Sequence, residues 1–338
     1  MTDRYSRQQL FKQIGFEGQG KIRHKHVLIV GAGALGSAGA EAFVRAGIGK
    51  LTIIDRDYVE WSNLQRQQLY TENDAEDKIP KAIAAEQHLK QINSEVEIEG
   101  LVMDARPDNL ENLLSDVDII IDGTDNFDTR FILNDLSHKF NIPWIYGSCV
   151  GSYGATYTVI PGKMPCLHCI LKEVPVAGAT CDTSGIISPA VQIVSAYQVS
   201  EALKILVEDF ASLRNTFLTF DVWNNQYYSI NLDKINTDGC RTCSSIRTYP
   251  YLSYENQTKS EVICGRNTVQ IRPAKTIEYS FDQLEKRLNI HGDVTKNPYL
   301  LSCQLQDYRM VIFRDGRVFI HGTNDIQLAK NLYYSLLG

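Results

Sequence analysis

Three glycines, Gly31, Gly33 and Gly36, stand in G-x-G-x-x-G spacing, directly after the apolar run Val27–Val30 and before a small-residue helical stretch, Leu35–Ala46. That order of strand, glycine loop and helix allows a tight turn and lets backbone N–H groups at a helix N-terminus approach phosphate oxygens. Asp55 closes the next apolar run about 20 residues later, where a carboxylate can accept hydrogen bonds from ribose hydroxyls. Together these residues specify a nucleotide site; the same cradle accepts NAD, FAD or ATP. Further polar residues follow: Asp57, then Ser62-Asn63-Leu64-Gln65-Arg66-Gln67, then Lys81 at the head of an amphipathic stretch, then Asp122-Gly123-Thr124-Asp125-Asn126 after an apolar run. Singly, Arg66 reads as a solvated loop charge, Lys81 as a helix-start residue and Asp125 as an N-cap. Jointly, two cations and a carboxylate around one cradle are what a triphosphate with Mg2+ requires.

The eight cysteines sort by context. Cys166-x-x-Cys169 and Cys240-x-x-Cys243 have the spacing in which two thiolates reach one tetrahedral zinc. By spacing alone a redox pair stays open, although such pairs sit at a strand-to-helix turn of a thioredoxin-like unit that the sequence lacks. His168, between two of these cysteines, is expected to face solvent. Cys181 lies in a Gly- and Pro-containing stretch that reads as a loop. It is a candidate nucleophile, with the helix start at Ser188 able to lower its pKa, or else an inert thiol. Cys149, Cys264 and Cys303 sit in apolar or strand-like contexts and read as core thiols.

The elements that must hold these residues are an α/β alternation. Strands are expected at Val27–Val30, Leu51–Ile54, Val96–Leu101, Ile119–Asp122 and Trp144–Gly147, with helices at Leu35–Ala46, Lys81–Ile92 and Asp128–Phe140. This is a Rossmann-like, doubly wound, mainly parallel sheet. Ala155–Ile160, Phe217–Asp221 and Gln226–Leu232 extend it in antiparallel fashion, around a long helix Pro189–Glu208 capped by Ser188. The first domain is expected over residues 1–246 and a connector over 247–265. A small C-terminal α/β unit over 266–338 follows, with a strand at Thr268–Arg272 and a helix Ser280–Leu288 opened by a Ser280/Gln283 capping box. An Arg309–Arg314/Arg317–His321 hairpin on a two-residue Asp315-Gly316 turn and a final helix Asp325–Leu337 complete it.

Composition narrows the partners. At 43% hydrophobic and 22% charged, the chain has a globular balance. A net charge of -6 gives no basic footprint for nucleic acid. The longest nearly apolar run, Val27–Ala40, is too short to span a bilayer. The polar N-terminus lacks a signal-peptide core, so the expected location is the cytoplasm, with no membrane partner.

Arg4-Tyr5-Ser6-Arg7-Gln8, Gly31–Gly36, Asp55 with Asp57, Ser62–Gln67, Pro80-Lys81, Thr124-Asp125-Asn126 and the two cysteine pairs resemble the ubiquitin-activating superfamily. Within it, the match is to bacterial adenylyltransferases of the sulfur carriers of molybdopterin and thiazole biosynthesis. The resemblance covers Arg4 to about Ser245, and Ser-Asn-Leu-Gln-Arg-Gln is its most specific piece. It implies ATP-dependent adenylation of a ubiquitin-like carrier ending in Gly-Gly, with Arg66 and Lys81 on the phosphates, Asp125 on Mg2+ and Asp55 on the ribose. Gly31, Gly33, Gly36, Asp57, Asn63 and Asn126 complete the nucleotide site. It further implies a Zn2+ held by Cys166, Cys169, Cys240 and Cys243, an acyl acceptor at Cys181, and a homodimer in which Arg7 reaches the partner's site. Some members end in a sulfur-carrying rhodanese domain; this tail is shorter and lacks its anion loop, so the sulfur donor is expected in trans. The molybdopterin carrier is the expected substrate and the thiazole carrier the alternative. An NAD-dependent oxidoreductase, a non-enzymatic sensor and a tRNA-directed enzyme account for fewer of these residues.

Overall fold

The computed structural model describes residues 3–173, 185–253, 260–263, 267–272 and 279–337. They form two units, one holding the described residues up to Glu173 and from Ile186 to Ser253, the other Gly185 and those from Ser260 onward.

The first unit is built on β1 (His26–Val30), β2 (Lys50–Asp55), β3 (Glu97–Val102), β4 (Ile119–Asp122), β5 (Trp144–Val150), β6 (Tyr153–Val159), β7 (Thr216–Asp221) and β8 (Gln226–Asn231). They make one sheet in the order β3-β2-β1-β4-β5-β6-β7-β8. Pairing is parallel from β3 through β5 and antiparallel from β5 to β8. All of β1 is buried, because a central parallel strand is covered on both faces. Its alternate side chains enter different cores. Val27 and Ile29 join Phe43, Leu89 and Ile205; Leu28 and Val30 join Leu133, Leu136 and Trp144. Helices Ala34–Ala46, Lys81–Ile92 and Ser188–Leu206 therefore supply one face and helix Phe127–Phe140 the other. Each fully buried Leu or Ile adds about 1.5–3 kcal/mol. Strand order reverses between β1 and β4, and the loops that leave those two strands flank the crevice where open α/β sheets bind ligands.

Two details of the long helix differ from expectation. Ile187, not Ser188, is its N-cap residue, and no side chain caps it. It ends at Leu206 rather than Glu208, because Glu208 takes a φ of +69° and pairs with Lys21 at 2.7 Å.

The second unit is an antiparallel sheet of β9 (Ser260–Ile263), β10 (Thr268–Ile271), β11 (Asp293–Lys296), β12 (Leu300–Gln304), β13 (Arg309–Phe313) and β14 (Val318–His321), in the order β11-β12-β13-β14-β10-β9. Helices Phe281–Leu288 and Ile326–Leu337 close a core containing Leu284, Leu288, Cys303, Ile312 and Tyr333. The hairpin turn is longer than expected. The Phe313 N–H donates to the Arg317 carbonyl (2.9 Å) and the Gly316 N–H to the Phe313 carbonyl (3.1 Å), with Gly316 at φ +88°. That is a three-residue loop, which needs glycine at its last position. The capping box does not form: Ser280 caps helix Phe281–Leu288 through its carbonyl, not its hydroxyl. Among the described residues, no helix is long and apolar enough to cross a membrane.

Candidate active site

The glycine loop leaves β1 and enters helix Ala34–Ala46 at its N-cap, Gly33. Its glycines serve different ends. A Cβ on Gly36 would lie 1.8 Å from the Gly31 carbonyl oxygen, and one on Gly31, which adopts φ +96°, 2.5 Å from that of Gly123. Both are required for backbone to pack on backbone. A Cβ on Gly33 would meet nothing nearer than the Gly123 oxygen at 3.8 Å. Gly33 therefore opens onto free space between the β1 and β4 loops, where a phosphate can meet the helix N-terminus.

Asp55 braces this loop. Its Oδ2 accepts from the Ala32 N–H (2.7 Å) and its Oδ1 from the Asp57 N–H (2.7 Å). Burial, reinforced by Asp57, raises its pKa against the pull of Lys81 and these bonds. Lys81, nearly buried, pairs with the Asp57 Oδ2 at 3.0 Å, and its backbone N–H donates to the Asp57 carbonyl. Asn63 is buried and accepts from the Glu60 N–H (3.1 Å), closing the short turn Trp61–Asn63. Arg66, half-buried, is steadied by donating to the Ser62 carbonyl at 2.9 Å.

On the β4 side, Asn126 caps helix Phe127–Phe140 by accepting from the Thr129 N–H at 2.9 Å. This overturns the bland reading of Asp125 as that N-cap. Asp125, in the loop that follows β4, is open to solvent. Burial opposes its ionisation, but Arg56, the Asn126 amide and Lys81 outweigh it and hold the carboxyl below the usual carboxylate range. An ionised, accessible carboxylate among cations fits a hydrated Mg2+ carried on phosphates.

Three contributors escaped the sequence reading. Arg56, 3.5 Å from Asp104, is the foremost cation acting on Asp125. Buried Tyr70 donates its hydroxyl to the Ala32 carbonyl (2.6 Å), with the Lys81 carbonyl 3.2 Å away. Arg130 lies under the site, donating to Asp122 Oδ2 (3.1 Å) and to the Thr124 (2.8 Å) and Gly147 (3.1 Å) carbonyls. Only Arg130 left a signal, its four-residue spacing from Asn126 on one helix.

Arg7 is not brought to this chain's own loop. Arg4 donates to the Ile92 carbonyl and Gln8 to that of Ala46, fixing the N-terminal segment at the C-terminal ends of two helices whose N-termini face the site. The 13 residues of Ala34–Ala46 separate the two ends by about 20 Å, far beyond an arginine's reach. Arg7 itself is exposed, as are nearby Leu10, Phe11 and Phe16.

The two C-x-x-C pairs converge. Cys166 lies 3.8 Å from Cys169 and 3.6 Å from Cys240, and Cys169 lies 3.6 Å from Cys243; all four sulfurs fall within 4.8 Å of one another. A tetrahedral Zn2+ with bonds of about 2.3 Å requires sulfurs about 3.8 Å apart, so the donor set fits zinc, while these separations are far beyond a disulfide bond of about 2 Å. His168 does not face solvent as expected: it sits half-buried between the rings of Phe131 (5.7 Å) and Tyr251 (6.1 Å). Cys149 and Cys303 lie in hydrophobic clusters; Cys181 and Cys264 fall outside the described residues.

A family model described as the ThiF family matches residues 5–243. The chain belongs to the ThiF family. Among curated proteins of this family, the chain is 53% identical to the sulfur carrier protein ThiS adenylyltransferase of Bacillus subtilis, over the full length of both. It is 32% identical to the Escherichia coli protein of the same name, covering 73% of this chain and 97% of that one. A sulfur carrier protein adenylyltransferase of Thermus thermophilus is 33% identical over 78% of this chain and 96% of its own. The chain is thus an adenylyltransferase, as its resemblance to the ubiquitin-activating superfamily implies. The fold agrees: a crystal structure of E. coli MccB with MccA-N7isoASN superposes with a TM-score of 0.63 at 22% identity, covering 72% of this chain and 76% of that one.

Proposed function

We propose that this enzyme adenylates the C-terminal carboxylate of a ubiquitin-like sulfur carrier of the thiazole type, ThiS. The supporting observation is the 53% identity to a ThiS adenylyltransferase, which runs through the second unit as well as the first. It revises the expectation of a molybdopterin carrier in favour of the alternative.

The carrier's terminal carboxylate is ionised at neutral pH, with a pKa of about 3.5, so no general base is needed. Its oxygen attacks the α-phosphorus of ATP, the bond from that phosphorus to the bridging oxygen breaks, and pyrophosphate leaves with the electron pair. The task is electrostatic: an anion must approach a polyanion. Gly33 and the helix N-terminus receive phosphate, Lys81 exchanges part of its pairing with Asp57 for phosphate oxygens, and Arg66 closes over them. Asp55, with lone pairs left on both oxygens, accepts from the ribose, beside Asn63 and Asn126. Asp125 would hold Mg2+, which supplies charge neutralisation on the leaving group. Zn2+ on the four cysteines would staple the fold.

Because Arg7 is anchored about 20 Å from its own loop, it serves the site of a second copy in a homodimer, whose contact covers Leu10, Phe11 and Phe16. Sulfur arrives from a donor protein in trans, and Cys181 is the proposed acyl acceptor. Carrier-dependent exchange of labelled pyrophosphate into ATP tests the reading. It should be abolished by Arg66→Ala or Asp125→Ala and spared by Cys181→Ala; exchange unchanged in both of the first two would overturn the site assignment.

A further inference from the structure

Helix Phe127–Phe140 carries a polar stripe that ties two sites together. Asn126 caps it and Arg130 grips the strand-end groups beneath the crevice. One turn on, buried Asn134 accepts from the Leu167 N–H at 2.9 Å, holding the turn that follows Cys166. The adjacent Asp135, also buried, accepts from the Thr242 hydroxyl at 2.6 Å, and Thr242 stands between Cys240 and Cys243. Its second oxygen accepts from the Tyr251 N–H at 2.8 Å. Neighbouring residues of one helix thus hold the two halves of the sulfur cluster, one each. They lie about 14 Å along a rigid rod from the cap beside Asp125.

We propose that Asn134 and Asp135 are positioning residues that key the four-cysteine cluster to the floor of the nucleotide crevice, so that zinc at the sulfurs and ATP at the crevice strengthen each other's binding. This rests on the crevice being an ATP site. With both halves of the cluster drawn onto zinc, the helix is pinned and Asp125 is held where the nucleotide needs it; with the cluster open, the far end of the helix loses these polar ties and keeps only its apolar packing through Leu133 and Leu136. Coupling of this kind is reciprocal, with typical factors of about 5-fold or more.

The test is zinc release from the purified full-length protein into a chromogenic chelator, with and without saturating Mg2+-ATP, alongside equilibrium dialysis of ATP. ATP should slow release at least about 5-fold in the wild type. Thr242→Val keeps the volume and removes the hydroxyl, and should abolish the slowing; Thr242→Ser should restore it. Asn134→Leu gives a second break should Thr242→Val misfold. A purely structural link would change basal zinc retention but leave the ATP-dependent ratio intact, and that result overturns the proposal. ATP that binds without slowing release overturns it alone, whereas no ATP binding overturns the adenylation reading and this inference together.

Discussion

Alanine at Gly33 should cost activity alone, and alanine at Gly36 stability as well. At Gly36 the new methyl would sit 1.8 Å from the Gly31 oxygen and 2.9 Å from its carbonyl carbon, with Ile29 at 3.2 Å behind it. Backbone cannot rotate aside, so the loop must lift by more than 1 Å from β1, an overpacking that costs about 1–3 kcal/mol. In a unit of this size that lowers Tm by several degrees, at about 2–4 °C per kcal/mol. At Gly33 the nearest atom is 3.8 Å away and φ is an ordinary -73°, so the fold tolerates the methyl and loses a little unfolded-state entropy with it. The methyl instead occupies the space where phosphate meets the helix N-terminus and displaces it by about 1 Å, which costs on the order of 100-fold in rate. Gly33→Ala should therefore melt with the wild type and lose pyrophosphate exchange about 100-fold, while Gly36→Ala loses stability too. Wild-type exchange by folded Gly33→Ala would show that phosphate does not sit on this loop.

Arg7→Ala and Asp125→Ala should each be inactive, yet mixing them after reversible dissociation should restore about a quarter of wild-type exchange, since half of the dimers then hold one intact site of two. No recovery would place Arg7 outside the partner's site. Tyr70→Phe leaves the buried Ala32 carbonyl without its donor and should cost about 1–3 kcal/mol in urea unfolding; an unchanged midpoint would contradict that role. Asp221 is pushed up by burial, but bonds from Ser152 and from the Asn224 side chain and N–H bring its pKa down to about 2. A carboxyl whose folded pKa lies below its unfolded value of about 3.9 stabilises fully above pH 4 and loses that contribution as pH falls toward 2. Acid unfolding curves of the wild type should steepen in that window and those of Asp221→Asn should not.

The sequence disclosed what local spacing controls. The apolar run of β1, the three glycines behind it and the helix register from Lys81 to Ile92 depend on neighbours in the chain, and all reappear in place. What stayed hidden is set by distant contacts. Arg56 is one charge between two aspartates until Asp104 and Asp125 arrive from other strand ends. Tyr70 gains its role only because Ala32 and Lys81 meet above it. The cap of helix Phe127–Phe140 was ambiguous because Asp125 and Asn126 are both good N-cap residues. In the second unit, β11 is a polar, mostly exposed strand that shows no alternation and is defined by its pairing with β12.

Adenylation of the carrier can be read from the mass of the carrier itself. Purified enzyme, Mg2+-ATP and a thiazole-type carrier ending in Gly-Gly, quenched rapidly and weighed intact, should yield carrier bearing one AMP, with the molybdopterin-type carrier reacting poorly and a carrier lacking its terminal glycine not at all. Adenylation of the molybdopterin-type carrier alone, or of neither, would contradict the account.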